Sequence, residues 1–234
     1  MASSLVEDAV RLFDDHGLRV FSTFILAENE IPENAVFEAG RRALLVGNAG
    51  PEMWKHFSTS REYKDGLPDS MDRWTRRVVD NVAMMLGAAT AYPFDKPYWP
   101  FQRIAMRTTG VGQSPLGMLI HPEFGLWHGY RALLIFDLDQ ENLIHINGLA
   151  EDGDNRIQHP CDVCVDQPCL DACPVGAFGT EKDYDREACL GHVNSRTPPN
   201  CLDIGCSSRN ACPIGKNCQY SDEQIRFHMS AFAK

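Results

Sequence analysis

Hydrophobic residues in the first 150 positions recur partly with the period of a helix and partly as short continuous runs. The clearest helical pattern covers about residues 70–86, where an apolar stripe beginning at Trp74 recurs every three or four positions. We expect this stripe to face a core, and we expect the methionines Met84 and Met85 to fill space within it.

Two further helices are predicted near the ends of the chain. One covers residues 3–16, with Ser3 or Ser4 as its N-cap and apolar side chains on one face. The other covers residues 221–232 and has Ser221 as its N-cap.

Strand patterns separate the helical ones. Apolar runs over residues 18–26, 42–46 and 132–137 predict three strands, and a fourth is predicted to begin at Gly87. A helix is predicted from Pro51, because proline suits the first turn. Since helices and strands alternate, this part of the chain is α/β or α+β, and we take α+β as the fold class.

A polar stretch over residues 150–158 predicts a linker between two domains. Residues 1–157 would form the α+β domain. Residues 158–234 would form a short, loop-rich domain that is held together mainly by metal.

The composition narrows the partners and the compartment. The 234 residues carry a formal net charge of −10, whereas phosphate binding requires a basic face, so we expect no nucleic-acid partner. No apolar run approaches the roughly 18 residues of a membrane span, and the acidic first residues do not form a signal peptide. We therefore expect a cytoplasmic protein without membrane contact, whose reduced thiols can serve as metal ligands.

All nine cysteines lie between residues 161 and 218. The first four, in the run CDVCVDQPCLDACP, are spaced C-x2-C-x4-C-x3-C and followed by proline, which is the bacterial ferredoxin run with two extra residues. In such runs the fourth cysteine serves a second cluster, so the run requires further cysteines elsewhere in the chain.

The chain supplies those cysteines, and we predict two [4Fe–4S] clusters. In ferredoxin order, Cys161, Cys164, Cys169 and Cys212 would hold one cluster, and Cys173, Cys189, Cys201 and Cys206 would hold the other. Cys218 is left without a role. Two alternatives stay open: a single cluster on the first group, or structural zinc, although zinc sites prefer two separated C-x2-C pairs.

Residues 99–136 resemble the core of the CblC-type cobalamin-processing proteins. That family carries a run similar to GNQRI, an IHP-x-FGGW turn and then an arginine that begins a strand. This chain has QRI at 102–104, IHPEFG at 120–125 followed by Trp127, and arginine at position 131.

The same turn, followed by a strand and a two-cluster run, also resembles epoxyqueuosine reductase and, more remotely, the reductive dehalogenases. The three groups share a nitroreductase-like α+β fold that holds a corrinoid, so the resemblance implies such a sandwich with a C-terminal ferredoxin-like iron–sulfur domain. The chain departs from epoxyqueuosine reductase at residues 106–110, which have no carboxylate where that enzyme has an acidic V-D-T-G turn.

The resemblance also implies cofactor-binding residues. These are Gln102, Arg103, Gly117, His121, Pro122, Phe124, Gly125, Trp127 and Arg131. The protein would be an oxidoreductase that passes electrons from its clusters to bound cobalamin, with an electron-donor protein such as a flavodoxin or ferredoxin reductase as partner. The cysteine segment should then pack against the HPEFG turn. The alternative is an electron-transfer module whose first domain binds FMN or a partner protein.

Overall fold

The computed structural model describes residues 4–33, 35–137, 158–179 and 184–233. Two compact units make up the chain: Met1–Gly110 with His128–Arg156, and Val111–Trp127 with Ile157–Lys234. The predicted linker lies outside the described ranges except for its last residue. The second unit includes Val111–Trp127, a segment that the sequence analysis grouped with the first domain.

Six strands lie within the described ranges. They are β1 (Arg19–Ile25), β2 (Arg42–Ala49), β3 (Ala88–Ala91), β4 (Gly112–Gln113), β5 (Leu119–Ile120) and β6 (His128–Phe136). Four of them form one antiparallel sheet in the order β1-β2-β6-β3, and β4 pairs with β5 in a separate hairpin.

Ten α-helices are described. They are α1 (Leu5–Asp14), α2 (Glu52–Phe57), α3 (Arg61–Lys64), α4 (Ser70–Leu86), α5 (Phe101–Thr108), α6 (Pro168–Asp171), α7 (Arg186–Ser195), α8 (Cys201–Ile204), α9 (Ser207–Ala211) and α10 (Asp222–Phe232). Short 3-10 helices cover Glu28–Glu30, Pro160–Val163 and Lys216–Cys218. The chain is therefore a mixed α/β protein with a sheet and helices, and no described helix is long and apolar enough to cross a membrane.

The first residues of helix α1 show how the sequence specifies where a helix begins. The Ser4 side chain accepts a hydrogen bond from the Glu7 N–H at 3.2 Å, and the Glu7 carboxylate accepts one from the Ser4 N–H at 2.7 Å. This reciprocal cap satisfies backbone donors that a helix terminus would otherwise leave without partners.

The sheet forms the core of the first unit. Residues 43–46 of β2 are all 0% exposed, and residues 132–136 of β6 are at most 2% exposed. The register between these two strands shifts at Gly47. A side chain at Gly47 would collide with the carbonyl oxygen of Gly129, so this bulge requires glycine.

Helix α4 has the predicted bounds and packs its stripe inward, with Trp74, Val78 and Val82 at most 2% exposed. The prediction for the two methionines was wrong, because Met84 is 77% and Met85 is 59% exposed. Both belong to the last turn, which ends at Gly87 with φ +67.

Candidate functional site

Eight cysteines of the second unit surround two cavities. The first cysteine set (Cys161, Cys164, Cys169 and Cys212) lines a small cavity, and the second cysteine set (Cys173, Cys189, Cys201 and Cys206) lines a larger one of about 300 Å³. All nine cysteines of the chain are free of disulfide bonds. Each cavity therefore presents four thiols that no covalent bond engages.

Short helices position the first cysteine set. Cys161 lies in the 3-10 helix Pro160–Val163, where its N–H donates to His159 Nδ1 at 3.2 Å. Cys169 lies in α6, which begins with Pro168, a residue suited to a first turn. Cys212 follows α9 directly, so the end of that helix brings a distant thiol to the same cavity.

The second cysteine set comes from four separate points of the chain. Cys173 precedes a turn in which its sulfur accepts the Ala177 N–H at 3.2 Å. Cys189 lies within α7, Cys201 is the first residue of α8, and Cys206 is the N-cap residue of α9. The start of α8 is fixed by the Asn200 side chain, which accepts the Leu202 N–H at 3.1 Å.

Apolar side chains separate the first cysteine set from water. Leu116, Ile120 and Leu126 are at most 6% exposed and form one hydrophobic cluster with Cys169 and Cys212. These three side chains come from the β4–β5 segment and the turn that follows it. This segment thus belongs to the cysteine site, although no such role was predicted for Leu116 or Leu126.

Burial raises the pKa of several thiols in both sets, and neighbouring cysteines of the same set add to the effect. Burial raises the pKa of Cys161 to about 11, with further contributions from Cys212, Cys169 and Cys164. Burial likewise raises the pKa of Cys189 and Cys206 in the second cysteine set. Several thiolates can share such cavities only if positive charge compensates them.

The HPEFG turn, residues 121–125, packs directly on the chain that follows Cys212. Its ends are joined by two backbone hydrogen bonds between His121 and Gly125, of 2.8 and 2.9 Å. A Cβ built on Gly125 would lie 2.7 Å from the carbonyl carbon of Ile214, so backbone meets backbone there. The expected packing of the cysteine segment against this turn is confirmed.

The aromatic residues around this turn also pack within the second unit. His121 Nδ1 accepts the N–H groups of Glu123 and Phe124 at 3.1 and 3.3 Å, and its ring stacks on that of Phe124 at 4.3 Å. Trp127 is 1% exposed and meets Tyr220 edge-on at 5.4 Å. Pro122 is half-buried in the same turn, and Gly117 is exposed.

The other residues suggested as corrinoid contacts belong to the first unit. Gln102 and Arg103 are exposed on α5, where the Arg103 guanidinium donates to the carbonyl oxygen of Asn29. Arg131 lies in β6, and its Nε donates to Asn48 Oδ1 at 3.0 Å. Asn48 is fully buried and was missed by the sequence analysis, although an amide inside an apolar strand could have indicated a polar partner.

No group of three or more histidine, cysteine, aspartate or glutamate side chains forms a site for a metal ion within the described ranges. The four thiols of each set line one cavity. Cys218 belongs to neither set and packs against the cluster formed by Trp127, Tyr220 and Ile225.

Arg209 is the other residue that sequence reasoning overlooked. It lies in α9 between two cysteines of different sets, and it lines the larger cavity. Its guanidinium carbon is 4.1 Å from the centre of the Trp127 ring and 4.7 Å from that of Tyr220. No sequence spacing relates these three residues, so only the fold brings them together.

Comparisons with known proteins support a fold relationship. The chain is similar to the crystal structure of a C. elegans B12-trafficking protein CblC, a human MMACHC homologue, with a TM-score of 0.52, 12% identity, and coverage of 98% of this chain and 92% of that one. It is also similar to epoxyqueuosine reductase with an epoxyqueuosine-modified tRNA stem loop (TM-score 0.45, 16% identity, coverage 95% and 67%). The similarity to a selenomethionine-labelled epoxyqueuosine reductase has a TM-score of 0.46 and 15% identity, and it covers 93% of this chain and 66% of that one. No protein-family model and no curated protein matches the chain.

Proposed function

We propose that the chain is an iron–sulfur redox protein whose second unit is a ferredoxin-like domain with two [4Fe–4S] clusters. One observation carries this proposal: eight free cysteines are divided into two sets of four, and each set lines its own cavity. Four thiolates are the ligand number of a [4Fe–4S] cluster.

The spatial arrangement of the thiols favours clusters over single ions. A zinc ion requires four donors that converge on one point at about 2.3 Å from the metal. A cubane carries its four thiolates on separate irons at its corners, so its ligands lie around a volume. The four thiols of the second cysteine set line a cavity of about 300 Å³, which fits the second arrangement.

The protein would hold, brace and desolvate these clusters. The thiols would supply the bonds, and Leu116, Ile120 and Leu126 would exclude water from the first cysteine set. The backbone contact between Gly125 and Ile214 would keep the segment after Cys212 in place. Exclusion of water and the local charges would tune the reduction potentials.

For the first unit we propose a nitroreductase-like corrinoid-binding domain. Support comes from the fold shared with the B12-trafficking protein CblC and from the QRI motif of α5. Gln102, Arg103 and Arg131 are the candidate contacts in this unit. When bound, the clusters would supply one-electron transfer and the corrinoid a reducible cobalt centre, with electrons arriving from a donor protein such as a flavodoxin or ferredoxin reductase.

Anaerobic purification of single-cysteine variants tests the clusters. Cys164→Ala removes a ligand of the first cysteine set and Cys206→Ala one of the second, so each variant should retain about half of the iron and acid-labile sulfide of the unmodified protein. The two-cluster proposal would be refuted if both variants kept all of their iron, or if the protein contained zinc in place of iron.

The corrinoid is tested separately by titration with cobalamin and with FMN. Binding should shift the visible spectrum of cobalamin at micromolar protein, and FMN should compete weakly or not at all. An unchanged cobalamin spectrum would refute the corrinoid proposal, and flavin that co-purifies with the protein would favour an FMN domain.

A further inference from the structure

A buried cation lies beside the second cysteine set. The Arg209 guanidinium packs between the Trp127 and Tyr220 rings, and its Nη2 donates to the carbonyl oxygen of Leu126 at 2.6 Å. Its Nε is buried and has no hydrogen-bond partner. No carboxylate within the described ranges pairs with this guanidinium. A cation in such a position requires a compensating negative charge.

Ionised thiols of the second cysteine set supply negative charge in the cavity that Arg209 lines. Arg209 shares this cavity with Cys173, Cys189, Cys201 and Cys206. Two hydrogen-bond donors lie at the same site. The Ala177 N–H donates to Cys173 Sγ at 3.2 Å, and the fully buried Ser208 has a hydroxyl without a partner.

The first cysteine set has a different electrostatic environment. No arginine, lysine or histidine is among the described residues that line the small cavity of the first cysteine set. Lys216, which follows Cys212 by four residues, is exposed, so water screens its charge. A cation that is desolvated against aromatic rings acts more strongly over the same distance.

We propose that Arg209, assisted by Ser208, gives the cluster on the second cysteine set a higher reduction potential than the cluster on the first. This inference rests on the proposed function. Addition of one electron, from dithionite in a titration or from a donor protein in the cell, makes the site more negative by one charge and requires no proton. Buried positive charge and hydrogen bonds to sulfur stabilise the reduced state relative to the oxidised state.

Redox titration of the anaerobically purified protein tests the inference. The electron paramagnetic resonance signals of the two clusters would be followed in the unmodified protein and in Arg209→Gln, with Arg226→Gln as the matched control because Arg226 is exposed on α10. The variant Cys164→Ala, which should keep only the second cluster, assigns the signals.

In Arg209→Gln we expect the reduction equilibrium of the second cluster to weaken at least tenfold, which is about 59 mV for one electron. The first cluster should shift less, and Arg226→Gln should shift neither. Unchanged potentials in an Arg209→Gln protein that holds both clusters would overturn the inference alone. An unmodified protein without two clusters would instead overturn the proposed function.

Two further variants keep the test decisive if Arg209→Gln loses its second cluster during purification. Arg209→Lys preserves the charge and should retain most of the potential, whereas Ser208→Ala removes a donor and should lower the potential of the same cluster. A lowered potential in Arg209→Lys combined with an unchanged one in Ser208→Ala would contradict the electrostatic account.

Discussion

Replacement of Gly125 by alanine should destabilise the second unit more than the same replacement at Gly117. Both glycines have positive φ, +57 and +74, so alanine at either position carries the cost of a left-handed backbone, about 1–2 kcal/mol. The two sites differ in the space around a new methyl group. At Gly117 nothing lies within 4 Å of the built Cβ, whereas at Gly125 the carbonyl group of Ile214 lies in its path.

The difference between the two variants follows from this contact. A methyl group forced against backbone at Gly125 adds an overpacking cost of about 1–3 kcal/mol. Gly125→Ala should therefore lose about 2–5 kcal/mol and Gly117→Ala about 1–2 kcal/mol. For a unit of this size, each kcal/mol lowers the melting temperature by about 4–8 °C.

Anaerobic thermal unfolding, followed by far-ultraviolet circular dichroism and by loss of visible absorbance, would measure both variants. Because Gly125 braces the chain after Cys212, its replacement should also speed the loss of iron from the first cysteine set. Equal melting temperatures for the two variants, or a less stable Gly117→Ala protein, would refute the proposed role of this backbone contact.

Three other predictions concern the ion pairs of Glu62 and Glu30, whose carboxylates are buried, and the ninth cysteine, Cys218. Arg77 donates hydrogen bonds to both carboxylate oxygens of Glu62, at 2.6 and 3.0 Å. These bonds lower the pKa of the Glu62 carboxyl from its ordinary 4.5 to about 2. The stability that the pair contributes should therefore be complete above pH 4.5 and be lost as the pH falls toward 2. At neutral pH the free energy of unfolding of Glu62→Gln should be about 1.5–3 kcal/mol lower than that of the unmodified protein, and the two values should converge near pH 2. A difference that stays constant with pH would contradict this. Arg107→Met should cost about 3–5 kcal/mol in urea unfolding, because it leaves Glu30, whose side chain is 2% exposed, without the two 2.7 Å hydrogen bonds of Arg107, and a loss below 1 kcal/mol would count against it. Cys218→Ala should keep its full iron and sulfide content, and loss of half of the iron would show that Cys218 is a ligand.

Local signals predicted the regular elements best. The bounds of α4 were accessible because an apolar stripe ends at a glycine that can adopt a positive φ. The exposure of Met84 and Met85 was not accessible, since spacing does not reveal whether the last turn of a helix has a neighbour to pack on. Helix α5 was missed although Phe101, Ile104 and Thr108 have helical spacing and are buried, because proline and aromatic residues precede it.

The candidate site combines local and distant contributions. Spacing alone indicated which cysteines belong to one ferredoxin-like run, because close cysteines share a short loop. The contribution of Leu116 and Leu126, the backbone contact at Gly125 and the stacking of Arg209 arise from tertiary packing between distant segments. Such packing leaves no periodic pattern in the sequence. The residues that line the site and the charges around it therefore could not be predicted from the sequence.

Mössbauer spectroscopy of the anaerobically purified protein, grown on isotopically enriched iron, tests the central claim most directly. Two cysteine sets that each hold a [4Fe–4S] cluster predict about eight iron atoms per chain, all with the spectrum of cubane iron. A protein that contains zinc, that contains no iron, or that holds only isolated iron ions would contradict the assignment of the two cavities.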